Sequence, residues 1–326
     1  MNGTEIISLI QSAQPVAQSV ISAIGGAIFT AIFLRKNTST QEFEKLKAGR
    51  MQEVADQLLE SGKMSYTEYY KAGNFLLIAQ KADEEYSKMP HNDSTAAYDF
   101  DWFIRFYEAV GNVSDEEMQL MWAKILAGEV NKPKSYSLGT LDVMRNLSRQ
   151  DAELFAKVCK HCIQASQQEL ALPNYDTYLD KCNITFSEIL RLDEIGLINS
   201  NGSIRLNMNI ANNSSALINQ ELVMIIAANK EDIKECSIKL YPFTLIGNEI
   251  ATLVGENTSD GDFLLFAKEV AKSQSLKISV HKINGFFENS IDYDSVYIPH
   301  CKVHLHGVCG PGSRRMKSTL TEPKST

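Results

Sequence analysis

The feature of this sequence that most constrains its fold is a long uncharged segment near the N-terminus. No charged residue occurs between Glu5 and Arg35, and residues 16–34 include only four polar side chains. A helix rises about 1.5 Å per residue, so these residues would reach roughly 28 Å, close to the thickness of the hydrocarbon core of a bilayer. We therefore predict an N-terminal transmembrane helix over residues 16–34.

Three other interpretations of this segment compete with the spanning helix. A cleaved signal peptide would begin with a basic region, whereas the start MNGTE is acidic, and no small-residue cleavage site follows Leu34. An interfacial helix would carry a polar face rich in Lys and Arg, which this segment lacks. The buried core of an oligomer is the third alternative, and it stays open.

The charges around the segment predict its orientation. Basic residues follow it at positions 35, 36, 45, 47 and 50, and none precedes it. By the positive-inside rule, the large C-terminal part then stays in the cytoplasm. We expect a protein of the inner (cytoplasmic) membrane, with the lipid bilayer as a partner and the bulk of the chain in the cytoplasm.

Small residues recur every fourth position within the same segment. This spacing lets helix backbones approach closely inside a membrane, and it predicts a homo-oligomer formed through the N-terminal helix. The two series are Ser19, Ala23, Ala27 and Ala31, and Ser22, Gly26 and Thr30.

The chain beyond this segment is predicted to be mainly α-helical, with a smaller α+β unit at the C-terminus. Pairs of Ser or Thr with an acid three residues later mark four helix starts, at Ser65, Ser114, Ser148 and Thr185. Between residues 94 and 169, four amphipathic helices with short joints predict a compact helical bundle with Trp122 in its core.

The order of these elements predicts five parts of the chain. They are a transmembrane anchor (1–36), a helical hairpin (37–93), a helical bundle (94–169), an α+β domain (170–300) and a tail (301–326).

The α+β domain begins with a pattern typical of a winged helix. A helix from Thr185 ends at Gly196, and Asn201-Gly202 predicts a hairpin turn between residues 197–198 and 204–210. This helix offers Arg191 to a partner, but Glu188 and two further acids accompany it, and acids repel phosphate. The predicted module is therefore structural or contacts another protein.

The overall charge also disfavours nucleic acid as a partner. The chain has 32 basic and 40 acidic residues, for a formal net charge of −8. A protein that binds phosphate backbones normally carries an excess of basic residues.

No motif of an enzyme is apparent, so no catalytic residue is predicted. Cys159 and Cys162 have the spacing of a redox motif, but they lie inside a helical pattern without a preceding βα turn, which favours buried thiols. Near the C-terminus, Cys301, His304, His306 and Cys309 offer the four N and S ligands that zinc takes. A structural zinc finger separates its ligand pairs more widely than these four residues are separated. We therefore expect no cofactor, and a zinc ion at these residues is the alternative.

Two phrases of the sequence resemble the DUF2806 family of uncharacterised bacterial proteins. The first begins at Trp102, continues with MQLMWAKILAGE, which ends at Glu129, and finishes with Pro133 and a spaced Ser-Ser-Thr-Leu pattern. The second is TLIGNE, which includes Thr244, Gly247 and Glu249. The resemblance extends over residues 98–283. Two positions depart from the family pattern: Lys134 and Gly139 stand where Gly and Arg are expected. The positions that match the first phrase are Trp102, Met118, Gln119, Trp122, Ala123, Lys124, Ile125, Leu126, Ala127, Gly128, Glu129, Pro133, Ser135, Ser137, Thr140 and Leu141.

The resemblance implies no established activity. It implies that proteins of this kind are found near mobile elements and phage-defence genes. We therefore expect a membrane-anchored, self-associating regulatory or effector protein that serves phage defence by sensing or disrupting the membrane. A soluble enzyme or metal-dependent nuclease with a dispersed site, and a winged-helix regulator, are the alternatives.

Overall fold

The computed structural model describes residues 53, 55–57, 59–62, 64–90, 99–165, 169–210, 214–219, 221–228, 234–255, 259–274, 276–287, 290–294 and 314–317. The chain divides into two compact units, residues 1–147 and residues 148–326. The five predicted parts stay a prediction.

Helices form the first unit over residues 64–147. Their bounds are α1 (Tyr66–Lys88), α2 (Phe100–Val110), α3 (Glu116–Asn131) and α4 (Leu138–Asn146). The predicted capping box of Ser65 and Glu68 is confirmed at the start of α1. The start of α3 is shifted by one residue from the prediction, because the carboxylate of Asp115 accepts the hydrogen bonds of the first turn instead of Ser114.

Aromatic side chains fill the core of this unit. Trp122 of α3 and Phe106 of α2 are fully buried and meet edge to face, with ring centroids 5.5 Å apart. Phe75 of α1 contacts Phe106 in the same way, at 6.4 Å. Such pairs add to the free energy of burying the rings. The predicted core position of Trp122 is confirmed.

The loop after α3 is organised around one buried carboxylate. The side chain of Glu129 accepts hydrogen bonds from the backbone N–H groups of Lys134, Ser135 and Tyr136, at 2.6, 3.0 and 3.2 Å. Burial raises the pKa of Glu129, while the three N–H donors oppose this shift. The carboxylate thus satisfies a turn of backbone that would otherwise be left without acceptors.

Two further contacts fix the same loop. The indole N–H of Trp102 donates to the carbonyl of Tyr136 at 2.9 Å. A Cβ atom on Gly128 would lie 2.8 Å from the Tyr136 ring, so a larger residue there would require the ring to move. Lys134 has a φ of 70°, a region that favours glycine, which explains why the family pattern expects Gly at this position.

The second unit combines helices with a sheet. Its helices are α5 (Arg149–Cys159), α6 (Asp176–Lys181), α7 (Phe186–Ile195), α8 (Leu245–Val254) and α9 (Asp260–Ser273). Its strands are β1 (Ile163–Gln164), β2 (Leu170–Pro173), β3 (Arg205–Asn209), β4 (Ser214–Ile218), β5 (Leu222–Ala228), β6 (Glu235–Pro242), β7 (Leu276–Phe287), β8 (Ser290–Tyr293) and β9 (Arg314–Lys317).

In the described residues these strands form one sheet in the order β3-β6-β2-β1-β4-β5-β7-β8-β9. All neighbouring strands run antiparallel. Helix α9 packs on β5 and β7, where its Phe263 and Phe266 are buried together with Ile278 and Val280. This face of the sheet forms part of the core of the second unit.

The pairing is uneven along the sheet. All of β5 pairs with β7, from Leu222↔Lys282 to Ala228↔Leu276. Strand β1 has only two residues, and its described pairing with β4 is the single pair Gln164↔Ile218. The strands on the two sides of β1 are therefore joined through a very short strand.

The start of α8 approaches the end of α7 closely. Thr244 caps α8, and its hydroxyl also donates to the carbonyl of Gly196 at 2.6 Å. A Cβ atom on Gly247 would overlap the carbonyl oxygen of Leu197. The second family phrase therefore contains a threonine and a glycine that this contact requires.

The prediction of a mainly α-helical fold is wrong, because the second unit is built on a large antiparallel sheet. Several strands are short, such as β1 and β2, and they leave no alternating pattern in the sequence. The description of the chain as a helical bundle is wrong for the same reason. The helix α5, with which the predicted bundle ends, lies in the second unit and packs against α7 and α8.

The winged-helix-like prediction is wrong in its hairpin. Helix α7 has the predicted capping box and a left-handed Gly196, but Ile198 bridges to Phe243 and β3 pairs with β6. Arg191 donates two hydrogen bonds to Asp151, at 2.8 and 3.0 Å, and this pairing lowers the pKa of Asp151 to about 2. Arg191 thus serves a contact between α7 and α5.

The membrane predictions are corrected as well. In the part of the chain that the structure describes, no helix combines the length and the apolar character needed to cross a bilayer. The predicted transmembrane helix, residues 16–34, lies outside the described residues. The inner-membrane location that depended on it is therefore not supported.

Candidate metal centre

Three side chains of metal-ligating type meet in the second unit at the ends of three helices. His161 follows the last turn of α5, Cys182 is the residue that ends α6, and Asp262 lies in the first turn of α9. Helix ends leave backbone groups unpaired and change the chain direction, so side chains from separate helices can converge there. The fold thus brings together residues that are far apart in the sequence.

The ligand atoms are close enough to share one ion. One ring nitrogen of His161, the sulfur of Cys182 and a carboxylate oxygen of Asp262 all lie within 4.8 Å of one another. The Nδ1 atom of His161 is 3.0 Å from Oδ2 of Asp262. Cys182 is buried, whereas the side chains of His161 and Asp262 are 19% and 24% exposed. The cluster is therefore anchored in the core and open to solvent on one side.

Neighbouring groups hold two of these ligands in place. The hydroxyl of Tyr178, which is fully buried, donates to the carbonyl of His161 at 2.7 Å. The hydroxyl of Ser259 donates to Oδ2 of Asp262 at 2.8 Å, and it also caps α9. Hydrogen bonds to the residues that bind a metal orient them and tune their affinity.

Burial and the neighbouring carboxylate determine the electrostatics of the cluster. Burial raises the pKa of the Cys182 thiol to about 11, and the nearby Asp262 carboxylate adds to this rise. Burial also raises the pKa of Tyr178, with contributions from Cys182 and Asp262. A cation would reverse these effects, since a coordinating thiol loses its proton to the metal.

Nitrogen, sulfur and carboxylate oxygen together form a donor set that a metal ion can use. The described residues of the second unit therefore contain a candidate metal site at His161, Cys182 and Asp262. It establishes no particular cofactor.

The metal ligands predicted from the sequence are other residues. Cys301, His304, His306 and Cys309 lie outside the described residues, so their prediction stays untested. The candidate site at His161, Cys182 and Asp262 was not predicted, because ligand spacing along the chain compares only residues that are close in sequence. His161 lies between Cys159 and Cys162 in the sequence, but nothing in the local pattern connects it to Cys182 or Asp262.

The pair Cys159 and Cys162 has the expected character of buried thiols. Both are buried, and the thiol of Cys162 donates to the carbonyl of Cys159 at 3.1 Å. The contact with Cys162 and burial together raise the pKa of Cys159. A protonated thiol is a poor nucleophile, so this pair lacks the lowered pKa of a reactive cysteine.

The fold and the candidate site define the class of protein: a helical unit followed by an antiparallel sheet with helices, which carries a cluster of metal-ligand type. Residues 74–264 match the family described as "Protein of unknown function (DUF2806)", and the chain belongs to this family. The resemblance found in the sequence is thereby confirmed. Comparison with curated proteins and with solved structures finds no match to the chain.

Proposed function

We propose that this chain is a zinc-binding protein whose functional centre is formed by His161, Cys182 and Asp262. One observation carries the proposal: three ligand atoms from three separate helix ends lie within 4.8 Å of one another. The alternative to a metal site is an ion pair of His161 and Asp262 beside an unrelated buried thiol. The convergence of a nitrogen, a sulfur and a carboxylate oxygen favours a metal site over a simple ion pair.

The donor set favours zinc over the common hard cations. Magnesium and calcium take oxygen ligands, and only Asp262 supplies one here. Zinc accepts imidazole nitrogen, thiolate sulfur and carboxylate oxygen in a tetrahedral site. The three donors come from the ends of α5, α6 and α9, so a bound ion would also connect these helices.

A metal-dependent hydrolase is the second candidate function. Three protein ligands leave the fourth position of tetrahedral zinc free for water, as in catalytic zinc sites. The partial exposure of His161 and Asp262 supports it, because water and a substrate can reach the cluster from that side. This is the enzyme with a dispersed site that the sequence left as an alternative.

Elemental analysis of the purified full chain tests the zinc proposal. We expect about one zinc per chain in the wild type and in the Cys236→Ala variant, whose cysteine is buried elsewhere in the unit. Cys182→Ala and His161→Ala should each remove most of the metal. Zinc that persists in both variants but disappears in Cys301→Ser would place the metal at the C-terminal cysteines and histidines and overturn the proposal.

The hydrolase candidate has its own test. Bis(p-nitrophenyl) phosphate is a general substrate for metal-dependent phosphodiester hydrolysis. We expect turnover that stops on chelation, returns with zinc and is absent in Asp262→Ala. Zinc-loaded protein without any turnover would leave a zinc-binding protein and reject the hydrolase.

The regulatory or effector role in phage defence and the self-association through the N-terminal helix stay predictions. The residues that motivate self-association lie outside the described part of the chain.

A further inference from the structure

A second group of reactive side chains lies on strand β7, apart from the ligands of the candidate metal centre. Ser279 and His281 are two residues apart on this strand, so their side chains leave the same face of the sheet. The residues between and beside them, Ile278 and Val280, are buried on the opposite face. Ser279 and His281 are both partly exposed.

The hydrogen bonds of the imidazole determine which nitrogen carries the proton. Nδ1 of His281 lies 2.9 Å from the backbone carbonyl oxygen of Asp294, and this oxygen can only accept. Nδ1 therefore carries the hydrogen, and Nε2 of the neutral ring is an acceptor. Nε2 lies 2.9 Å from the hydroxyl oxygen of Ser279. The hydroxyl of Ser279 must donate to Nε2, which is the direction needed for deprotonation of the serine.

The third member of this arrangement is held firmly. The backbone N–H of Asp294 donates to the carbonyl of Lys282, and its carboxylate accepts from the side-chain amide of Asn284, each at 2.9 Å. The ring of Tyr293 lies against the imidazole, with centroids 5.0 Å apart. The His281 ring is thus fixed by a hydrogen bond at one nitrogen and by a neighbouring aromatic ring.

Two apolar residues of β5 lie beside the pair. Across the sheet, Ser279 is paired with Ile225 and His281 with Val223, so these side chains share its face. Burial lowers the pKa of His281, which keeps the ring neutral and able to accept a proton at neutral pH. An oriented base beside a serine has the composition of a nucleophilic site, and the two apolar neighbours on β5 favour an apolar acyl group.

We propose that Ser279 and His281 are the nucleophile and base of a second site, which hydrolyses carboxylic esters with a small apolar acyl group. In the first step, Oγ of Ser279 bonds to the ester carbonyl carbon while Nε2 of His281 takes the hydroxyl proton. The bond from that carbon to the alcohol oxygen then breaks, and the proton passes from Nε2 to the leaving alcohol. Asp294 acts as a positioning residue through its carbonyl.

Water completes the cycle. A water molecule attacks the acyl-serine carbonyl and gives its proton to Nε2. The bond to Oγ breaks, the proton returns to Ser279, and the carboxylic acid leaves. One ester and one water are consumed, and no redox partner is needed. Zinc takes no part in these steps, so the activity is independent of the proposed metal centre.

Two measurements on the full chain test this proposal. The first uses a fluorophosphonate probe on the wild-type protein, with the labelled residue located by mass spectrometry. We expect the label on Ser279, and its absence there would overturn the proposal whatever the behaviour of any variant. Because this measurement uses the wild-type chain, it does not depend on whether a variant folds.

The second measurement follows the hydrolysis of p-nitrophenyl butyrate. Ser279→Ala and His281→Gln should each lower kcat/KM by about a hundredfold or more. Ser215→Ala is the matched control, because Ser215 is also a strand serine but donates to the backbone carbonyl of Asn209. Rates that match the wild type in Ser279→Ala would reject the site. Chelation should leave this activity intact, which separates it from any failure of the zinc proposal.

Discussion

The loop after α3 and the candidate metal centre use their polar groups in opposite ways. In the loop, the carboxylate of Glu129 is surrounded by three backbone donors, so its bonding capacity is used within the fold. At the metal centre, His161 and Asp262 reach partial exposure and stand beside Cys182 in an arrangement that can take an ion. The most specific phrase of the sequence therefore marks architecture, whereas the residues of the candidate metal centre belong to neither phrase.

The largest effect that this comparison predicts is at Trp122. Trp122→Ala empties a fully buried position beside Phe106, and we expect a loss of about 3–5 kcal/mol in the free energy of unfolding. Urea unfolding measures it. Leu120→Ala on the exposed side of the same helix is the control and should change little. A stable Trp122→Ala protein that has lost its function would show that the phrase forms a site.

Glu129→Gln tests the loop itself. The glutamine amide keeps the size of the side chain, but its NH2 group faces backbone N–H groups that need an acceptor. We expect a loss of about 1–3 kcal/mol, measured by the same unfolding experiment. Glu108→Gln, at an exposed position of α2, should be neutral. An equally neutral Glu129→Gln would mean that the loop does not need the charged carboxylate.

Cys182→Ala tests the other side of the comparison, in protein freed of metal. It removes one buried sulfur, and we expect a loss of about 1 kcal/mol. Thermal unfolding after chelation measures it. A loss as large as that of Trp122→Ala would make the cluster part of the core instead of a site.

The smallest expected effect is a gain. Lys134→Gly relieves a φ of 70° and should raise the free energy of unfolding by about 0.5–1 kcal/mol. The matched control is Lys132→Gly, where φ is −138° and glycine adds only freedom to the unfolded chain. Destabilisation by Lys134→Gly would show that the lysine side chain contributes more than its backbone conformation costs.

Local features of the fold were predictable because they depend on neighbours in the chain. The capping boxes at Ser65 and Thr185 and the left-handed Gly196 appear as the sequence indicated. The departure at Lys134 was also visible in the sequence, and its backbone conformation explains it. Pairing between distant strands was not predictable. Strand β3 took β6 as its partner in place of the nearby residues 197–198, because a partner on the same sheet is chosen by tertiary packing.

The site was missed for the same physical reason. His161 and Asp262 are 101 residues apart, and only the packing of α9 brings them together. Likewise, the hydrogen bond from Ser279 to His281 depends on the backbone carbonyl of Asp294, which accepts from the other nitrogen of the imidazole. No side-chain motif reports the position of a backbone carbonyl. Ligand spacing along the chain favoured Cys301 to Cys309 because that criterion detects only local clusters.

The shortness of β1 has a mechanical consequence. A sheet under load parts where the fewest hydrogen bonds must break together, and the described contact between β1 and β4 is one residue pair. Unzipping there would separate β3, β6 and β2 from β4, β5 and the strands beyond them. His161 lies two residues before β1. An ion held at His161, Cys182 and Asp262 would therefore link three helix ends beside this short strand pairing.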